Sequence, residues 1–370
     1  MSTVRIGVVG LGLMGIGHAT NIASGKIKGL ALTAVVSSDP AKRARWPNAQ
    51  GFATPEEMFA SGLIDAVLIA TPHYAHTTIG LRALKAGLHV LVEKPISVHK
   101  ADAEKLLAAH TNKKKVFAAF LNQRTDPYFQ KIRQLVQSGE LGAVRRVQWT
   151  ITDWFRTHAY YASSAWRATW AGEGGGVLLN QCLHNLDLFQ WLFGMPERVT
   201  GFCNFGRYHP IEAEDDVTAH FEYADGKHAT LITSTGEAPG TNRLEVATER
   251  GRLVYENDKL TLTRNEVPIS EFSRTSKEGF VKPATWNIEI PLPNHGGQHT
   301  EILQNFADAI IDGKPLIAPA AEGLRSVELA NAIVMSAWTK KPVDLPLNGI
   351  TYARHLRQKI AAARSSTSKR

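Results

Sequence analysis

Along the first third of the chain, short unbroken apolar runs alternate with segments whose apolar residues recur at helical spacing. The runs fall at 4–9, 30–36, 64–70, 89–92 and 116–121, each the length of a strand buried on both faces. Such strands, separated by helices, predict a parallel sheet with right-handed crossovers: a doubly wound dinucleotide fold closing near Asn122. Two helix starts stand out in the polar positions between them. Thr54 precedes Pro55 with Glu57 placed to reach back, and Ser97 is expected to open a helix through Ala109.

Beyond 122 the texture changes. A helix at 127–138 is followed by alternating strand patterns at 144–152, 199–205, 216–223, 228–235, 242–247 and 251–255, which favour a mixed or antiparallel sheet. One apolar helix at 180–193, closed by Gly194 and Pro196, interrupts the series. Late helices are expected at 298–312, 321–337 and 350–363, and residues 263–293 read as irregular. The prediction is an α/β chain of two domains. Residues 1–122 form a Rossmann doubly wound parallel sheet for NAD(P); residues 123–370 form an α+β domain with a large, mostly antiparallel open sheet, for substrate binding and oligomerisation.

Composition changes this picture little. With 370 residues, 44% hydrophobic and 21% charged, the chain suits two soluble domains and neither disorder nor a fibre. The net charge of +8 is concentrated at the end, where Arg354, Arg357, Lys359, Arg364, Lys369 and Arg370 follow the last acidic residue, Asp344. A solvated helix terminus accounts for it better than nucleic acid does. Two cysteines without CxxC spacing, no run of 18 apolar residues, and an apolar strand directly after Met1-Ser2-Thr3 suggest a reduced, cytoplasmic enzyme without a membrane partner.

The first apolar run opens into Gly10-Leu11-Gly12-Leu13-Met14-Gly15. The glycines serve a tight turn, close approach of a pyrophosphate, and close helix packing, with the helix N-terminus facing the phosphates. At the end of the second run, Ser37, Ser38, Asp39 and Lys42 stand where a ribose is read. Serines beside cations suit a 2′-phosphate while Asp39 still reaches a hydroxyl, so NADP(H) is placed slightly ahead of NAD(H). Thr71, Pro72, His73 and His76 follow the third run and are expected at the nicotinamide; the histidines lack partners at metal-ligand spacing, and no metal is expected.

The fourth run delivers Glu93-Lys94-Pro95, a lysine beside a positively charged nicotinamide whose lowered pKa suits proton exchange. Farther on, Gly174-Gly175-Gly176 leaves backbone room for a ligand ahead of Asn180, His184 and Asp187. Together these motifs resemble the glucose-fructose oxidoreductase, inositol dehydrogenase and related (Gfo/Idh/MocA) oxidoreductases, over nearly the whole chain up to Glu322-Gly323-Leu324-Arg325-Ser326. The resemblance implies that His184 is the catalytic histidine and that the protein is a homodimer or homotetramer. It also places Asn180 where aspartate is common. Asn180 binds hydroxyls but takes no proton, which leaves proton handling to Lys94 and His184. On a helix Asn180 and His184 would share one face, with Asp187 orienting the imidazole. Trp154, Arg156, Tyr160, Trp166 and Arg167 supply ring faces and cations for a sugar hydroxyl or an anion, and Asn122 and Arg124 are further contact residues. The expected activity passes a hydride between a secondary alcohol of a sugar or inositol and the nicotinamide. Glycoside cleavage begun by oxidation at a sugar carbon, with retained cofactor, is the rival enzyme reading; a nucleotide-bound sensor or scaffold is the rival of another class.

Overall fold

The computed structural model describes residues 3–367, so Met1, Ser2 and the basic pair Lys369 and Arg370 lie outside the described residues. The first sheet and its helices are β1 (Val4–Val9), α1 (Leu13–Ala23), β2 (Leu30–Val36), α2 (Pro40–Arg43), β3 (Gln50–Phe52), α3 (Pro55–Ala60), β4 (Ala66–Ile69), α4 (His73–Lys85), β5 (His89–Val92), α5 (Lys100–Ala109) and β6 (Phe117–Ala119). Its strand order is β3-β2-β1-β4-β5-β6 and every pair is parallel. All four residues of β4 and of β5 are buried, the two-faced burial that their unbroken apolar runs predict. Thr54 and Glu57 form the expected capping box of α3. Ser97 does not cap α5: its Oγ lies 2.7 Å from Thr77 Oγ1, and the His99 ring accepts the Asp102 N–H instead.

A 3-10 turn (Asn122–Thr125) leads into α6 (Pro127–Gln137), β7 (Val144–Ile151), α7 (His158–Ala162), α8 (Leu183–Phe193), β8 (Arg198–Phe205), β9 (Glu214–Glu222), β10 (His228–Ser234), β11 (Asn242–Thr248), β12 (Gly251–Glu256), β13 (Lys259–Asn265), α9 (Ile269–Thr275) and β14 (Thr285–Ile290). Then come α10 (Gln298–Asp312), α11 (Ala320–Thr339), β15 (Val343–Asp344) and α12 (Gly349–Thr367). The second sheet runs β14-β13-β12-β11-β7-β10-β9-β8-β15, antiparallel throughout except for β7 beside β10. One face packs on α8 and α11 in a core that includes Trp149, Phe189, Phe221 and Ile333.

Two of the expected spans change here. Residues 263–293 are not irregular, since they include the end of β13, all of α9 and all of β14. β14 lies at a sheet edge with its side chains almost entirely exposed, although Trp286, Ile288 and Ile290 alternate with polar residues as in a strand. The helix expected at 180–193 begins at Leu183. Glu214 captures the backbone before it, its carboxylate accepting from Gly176 N (2.9 Å) and Leu178 N (3.1 Å) and its carbonyl from Val177 N (2.9 Å). Finally, α10 covers the first sheet although it lies far along the chain: Ile302, Leu303, Phe306 and Ala307 join Val4, Ile6, Val8 and Phe120 in one core.

Candidate active site

From 88 to 98 every residue is buried except Lys94, and from 173 to 190 every residue is buried except Asn180 and His184. The three side chains that break these runs come together. Lys94 Nζ donates to Asn180 O at 3.0 Å and to Asn180 Oδ1 at 3.3 Å. His184, on the first turn of α8, lies close enough for the Lys94 charge to disfavour its protonation.

The strand end holds Lys94 through its neighbours. Glu93 Oε1 lies 2.6 Å from His18 Nε2 of α1, and Glu93 Oε2 accepts the Lys94 backbone N–H at 2.9 Å. Burial works to raise the Glu93 carboxyl, but the bond and charge of His18, with Lys94 and His184, hold it at about 2. Glu93 thus fastens α1 to β5. His76 lies between the carbonyls of Pro95 and Thr71, each 2.7 Å from a ring nitrogen, and the ring, whose protonation burial disfavours, donates its one N–H to one of them. His73 is buried, its Nδ1 3.2 Å from the Glu173 carbonyl. Asn122 is also buried and donates to Gln298 Oε1 at 2.7 Å.

Burial depresses the pKa of Lys94; Glu93 and Glu173 oppose that shift, whereas Arg156 and Arg167 add to it. Burial, reinforced by Lys94, takes His184 down to about 3, so the imidazole is neutral at ordinary pH. His184 Nδ1 is buried without a partner. Asp187 does not orient it. The Asp187 carboxylate instead receives Arg124 Nε at 2.8 Å, Arg124 Nη2 at 2.6 Å and Gln190 Nε2 at 3.0 Å. Arg124 is likewise withdrawn from the expected substrate contact. Its guanidinium is fully buried, and Nη1 goes to Glu322 and to the Ile317 carbonyl.

Around the cleft, Asn180 Nδ2 donates to Glu173 Oε1 and to Tyr160 Oη. Tyr160 Oη also accepts Arg167 Nη1 at 2.8 Å and Gln181 Nε2 at 3.1 Å. The Arg167 and Arg156 guanidiniums lie 4.4 and 5.1 Å from the Tyr160 ring centre. Trp166 stands edge-on to His73 at 6.0 Å, and Trp154 is 5.5 Å from Arg156. Expected residues Tyr160, Arg156, Arg167, Trp154 and Trp166 thus gather near Lys94. Glu173 and Gln181 join them without a local sequence signal beyond their place beside the glycine run.

The glycine turn suits a dinucleotide. Gly10 has φ +93°, a Cβ on Gly15 would lie 1.8 Å from the Gly10 carbonyl, and a Cβ on Gly12 would meet nothing within 4 Å. Gly12 caps α1 without a side chain, and Leu13 and Met14 are exposed, so the first turn of the helix stands open to a pyrophosphate. Thr71 Oγ1, at the end of β4, is buried and unpartnered. At the end of β2, Asp39 caps α2 by accepting Ala41 N at 2.9 Å, Ser37 Oγ accepts Asp39 N at 3.2 Å, and Ser38 and Lys42 are exposed.

An open glycine turn on a parallel sheet, with a lysine at the end of another strand of that sheet bonded to Asn180 of the second domain, defines a nicotinamide-nucleotide oxidoreductase. Residues 4–120 match the oxidoreductase family with the NAD-binding Rossmann fold, and residues 129–254 match the GFO/IDH/MocA C-terminal domain. The chain belongs to this GFO/IDH/MocA oxidoreductase family and carries its NAD-binding fold. It is 27% identical to an inositol 2-dehydrogenase of Rhizobium meliloti strain 1021, over 93% of this chain and 99% of that one. It is 32% identical to the uncharacterized oxidoreductase YdgJ of Escherichia coli K12, over 90% and 96%. The WlbA dehydrogenase of Bordetella pertussis, solved with NADH and UDP-GlcNAcA, shares the fold at TM-score 0.78 and 23% identity, covering 94% of this chain and all of that one. A levoglucosan dehydrogenase solved with NADH and levoglucosan superposes at TM-score 0.77 and 19% identity, covering 93% and 100%.

Proposed function

We propose that the chain interconverts a secondary alcohol of a sugar, sugar derivative or inositol with its ketone, using a nicotinamide cofactor. The observation that carries this reading is the convergence of Lys94, Asn180 and His184, the three side chains that break two otherwise buried runs. The names of relatives that act on inositol and on levoglucosan support the same substrate class.

In this reading Gly10, Leu11, Gly12, Leu13, Met14 and Gly15 hold the pyrophosphate, and Thr71 and Pro72 border the nicotinamide, which supplies the two-electron chemistry when bound. Lys94, its amine made less basic by burial, accepts the hydroxyl proton on oxidation and returns it on reduction. His184, being neutral, hydrogen-bonds the reacting hydroxyl rather than protonating it. Asn180 and Tyr160 hold adjacent hydroxyls, Trp154 and Trp166 present ring faces, and Arg156 meets a hydroxyl or an anion. Because Asp39 is engaged as a cap while Ser38 and Lys42 are exposed, NADP(H) is placed slightly ahead of NAD(H). Tighter binding of NAD(H) by titration would reverse that order. A homodimer or homotetramer is also proposed, and a monomer at micromolar concentration in sedimentation counts against it.

A panel of inositols, sugars and sugar acids, assayed by nicotinamide absorbance with both cofactors, tests the activity. At least one polyol should be oxidised. No change of absorbance with any member would reject the reading.

A further inference from the structure

The Lys94 contact has an unexplained partner behind it. Glu173 is buried and, among the described residues, has no arginine or lysine within ion-pair distance; His73 Nε2 lies at 4.0 Å. Its Oε2 accepts the Ala168 N–H at 2.6 Å, which anchors the carboxylate, and its Oε1 accepts from Asn180 Nδ2. An amide side chain has one accepting and one donating end. With Nδ2 committed to a carboxylate, Oδ1 must face the other way, and there it meets Lys94 Nζ at 3.3 Å.

Resting on the reaction proposed above, we propose that Glu173 is a positioning residue which, through Asn180, sets the place and the charge of Lys94. Asn180 alone carries no charge and could turn either end towards Lys94. Glu173 removes that freedom; burial raises its pKa, but the Ala168 N–H, Arg167, Lys94 and the Asn180 amide favour its charged form, in which it supplies the anion that a lysine beside Arg156 and Arg167 otherwise lacks on the second-domain side. Glu173 touches no reacting atom, since Asn180 stands between it and Lys94.

Two exchanges test this. Glu173→Gln keeps shape and the Ala168 bond but offers an amide N–H to position 180, so Asn180 must rotate and present its own N–H to Lys94. Glu173→Gln/Asn180→Asp restores an acceptor facing Lys94, with the 173–180 bond now donated from position 173 and the charge moved one residue closer to Lys94. A substrate-free readout is the titration of Lys94 by carbon NMR of labelled lysine, its signal assigned by its loss in Lys94→Arg. Glu173→Gln should move that titration to lower pH and the double variant should move it back. On the best substrate of the polyol panel, kcat should fall by about 10- to 100-fold in Glu173→Gln, with the cofactor Kd unchanged, and recover in the double variant. Glu173→Asp, which keeps the charge but shortens its reach, should fall between the two and serves if Glu173→Gln does not fold.

The proposal is overturned if Glu173→Gln titrates and turns over as the parent does, or if the double variant is no better than the single one. A Lys94→Ala variant that retains turnover overturns the reaction assignment instead, which separates the two failures.

Discussion

Lys94 sits among opposing charges, and its response to pH follows from which protonation state each direction needs. Burial and the two arginines lower its pKa below 10.5, so the free amine becomes available at lower pH than for an exposed lysine. Oxidation should therefore rise with pH as Lys94 loses its proton, while reduction falls over the same range. A pH profile that is flat in both directions from roughly pH 6 to 10 would contradict this. Removing the amine is more severe. Lys94→Ala should cost about 10²- to 10⁴-fold in kcat, with cofactor binding retained in a fluorescence titration. Glu93 acts on stability. Held at about 2 against an ordinary 4.5, its contribution is complete above pH 4.5 and is lost as the pH falls towards 2. Glu93→Gln should lower the melting temperature near neutrality, and its deficit against the parent should shrink across that acid window.

Between β1 and α1, two glycines of one turn make different predictions. Gly15→Ala would drive a Cβ into the Gly10 carbonyl, so both the turn and cofactor binding should suffer. Gly12→Ala meets no protein atom, so melting should be unchanged while the cofactor Kd rises by about tenfold or more, about 1.4 kcal/mol, because the new methyl occupies the pyrophosphate's place. An unchanged Kd would remove the turn from the binding site. The turn, β4 and β5 were legible because two-faced burial leaves unbroken apolar runs, and the second sheet because its half-buried strands alternate. β14 was passed over although Trp286, Ile288 and Ile290 alternate with polar residues, and the start of α8 was hidden because Glu214, 31 positions after Leu183, holds the preceding backbone. At the site, the motifs of Lys94 and His184 marked two side chains that come together in the structure. Arg124 misled, because its partners Asp187 and Glu322 lie 63 and 198 residues away and no local pattern marks it as buried.

Across the whole molecule, that same Arg124 joins α8 and α11 to the turn after the first sheet. Arg124→Leu leaves Asp187 buried without its cation and should cost about 3–5 kcal/mol in denaturant unfolding. A loss under about 1 kcal/mol would mark the pair as dispensable. Residues 1–122 expressed alone lack the α10 side chains that complete their core, and circular dichroism should show no cooperative melt. A sharp transition would mean that the sheet is self-sufficient. The reach of α10 back to β1 also bears on synthesis. Roughly 180 residues separate Phe120 from Ile302, so at about 5–20 residues per second the apolar face of the first sheet waits on the order of ten seconds or more for its cover. During that interval the nascent chain, rather than the finished enzyme, presents the surface that a ribosome-associated chaperone would have to shield.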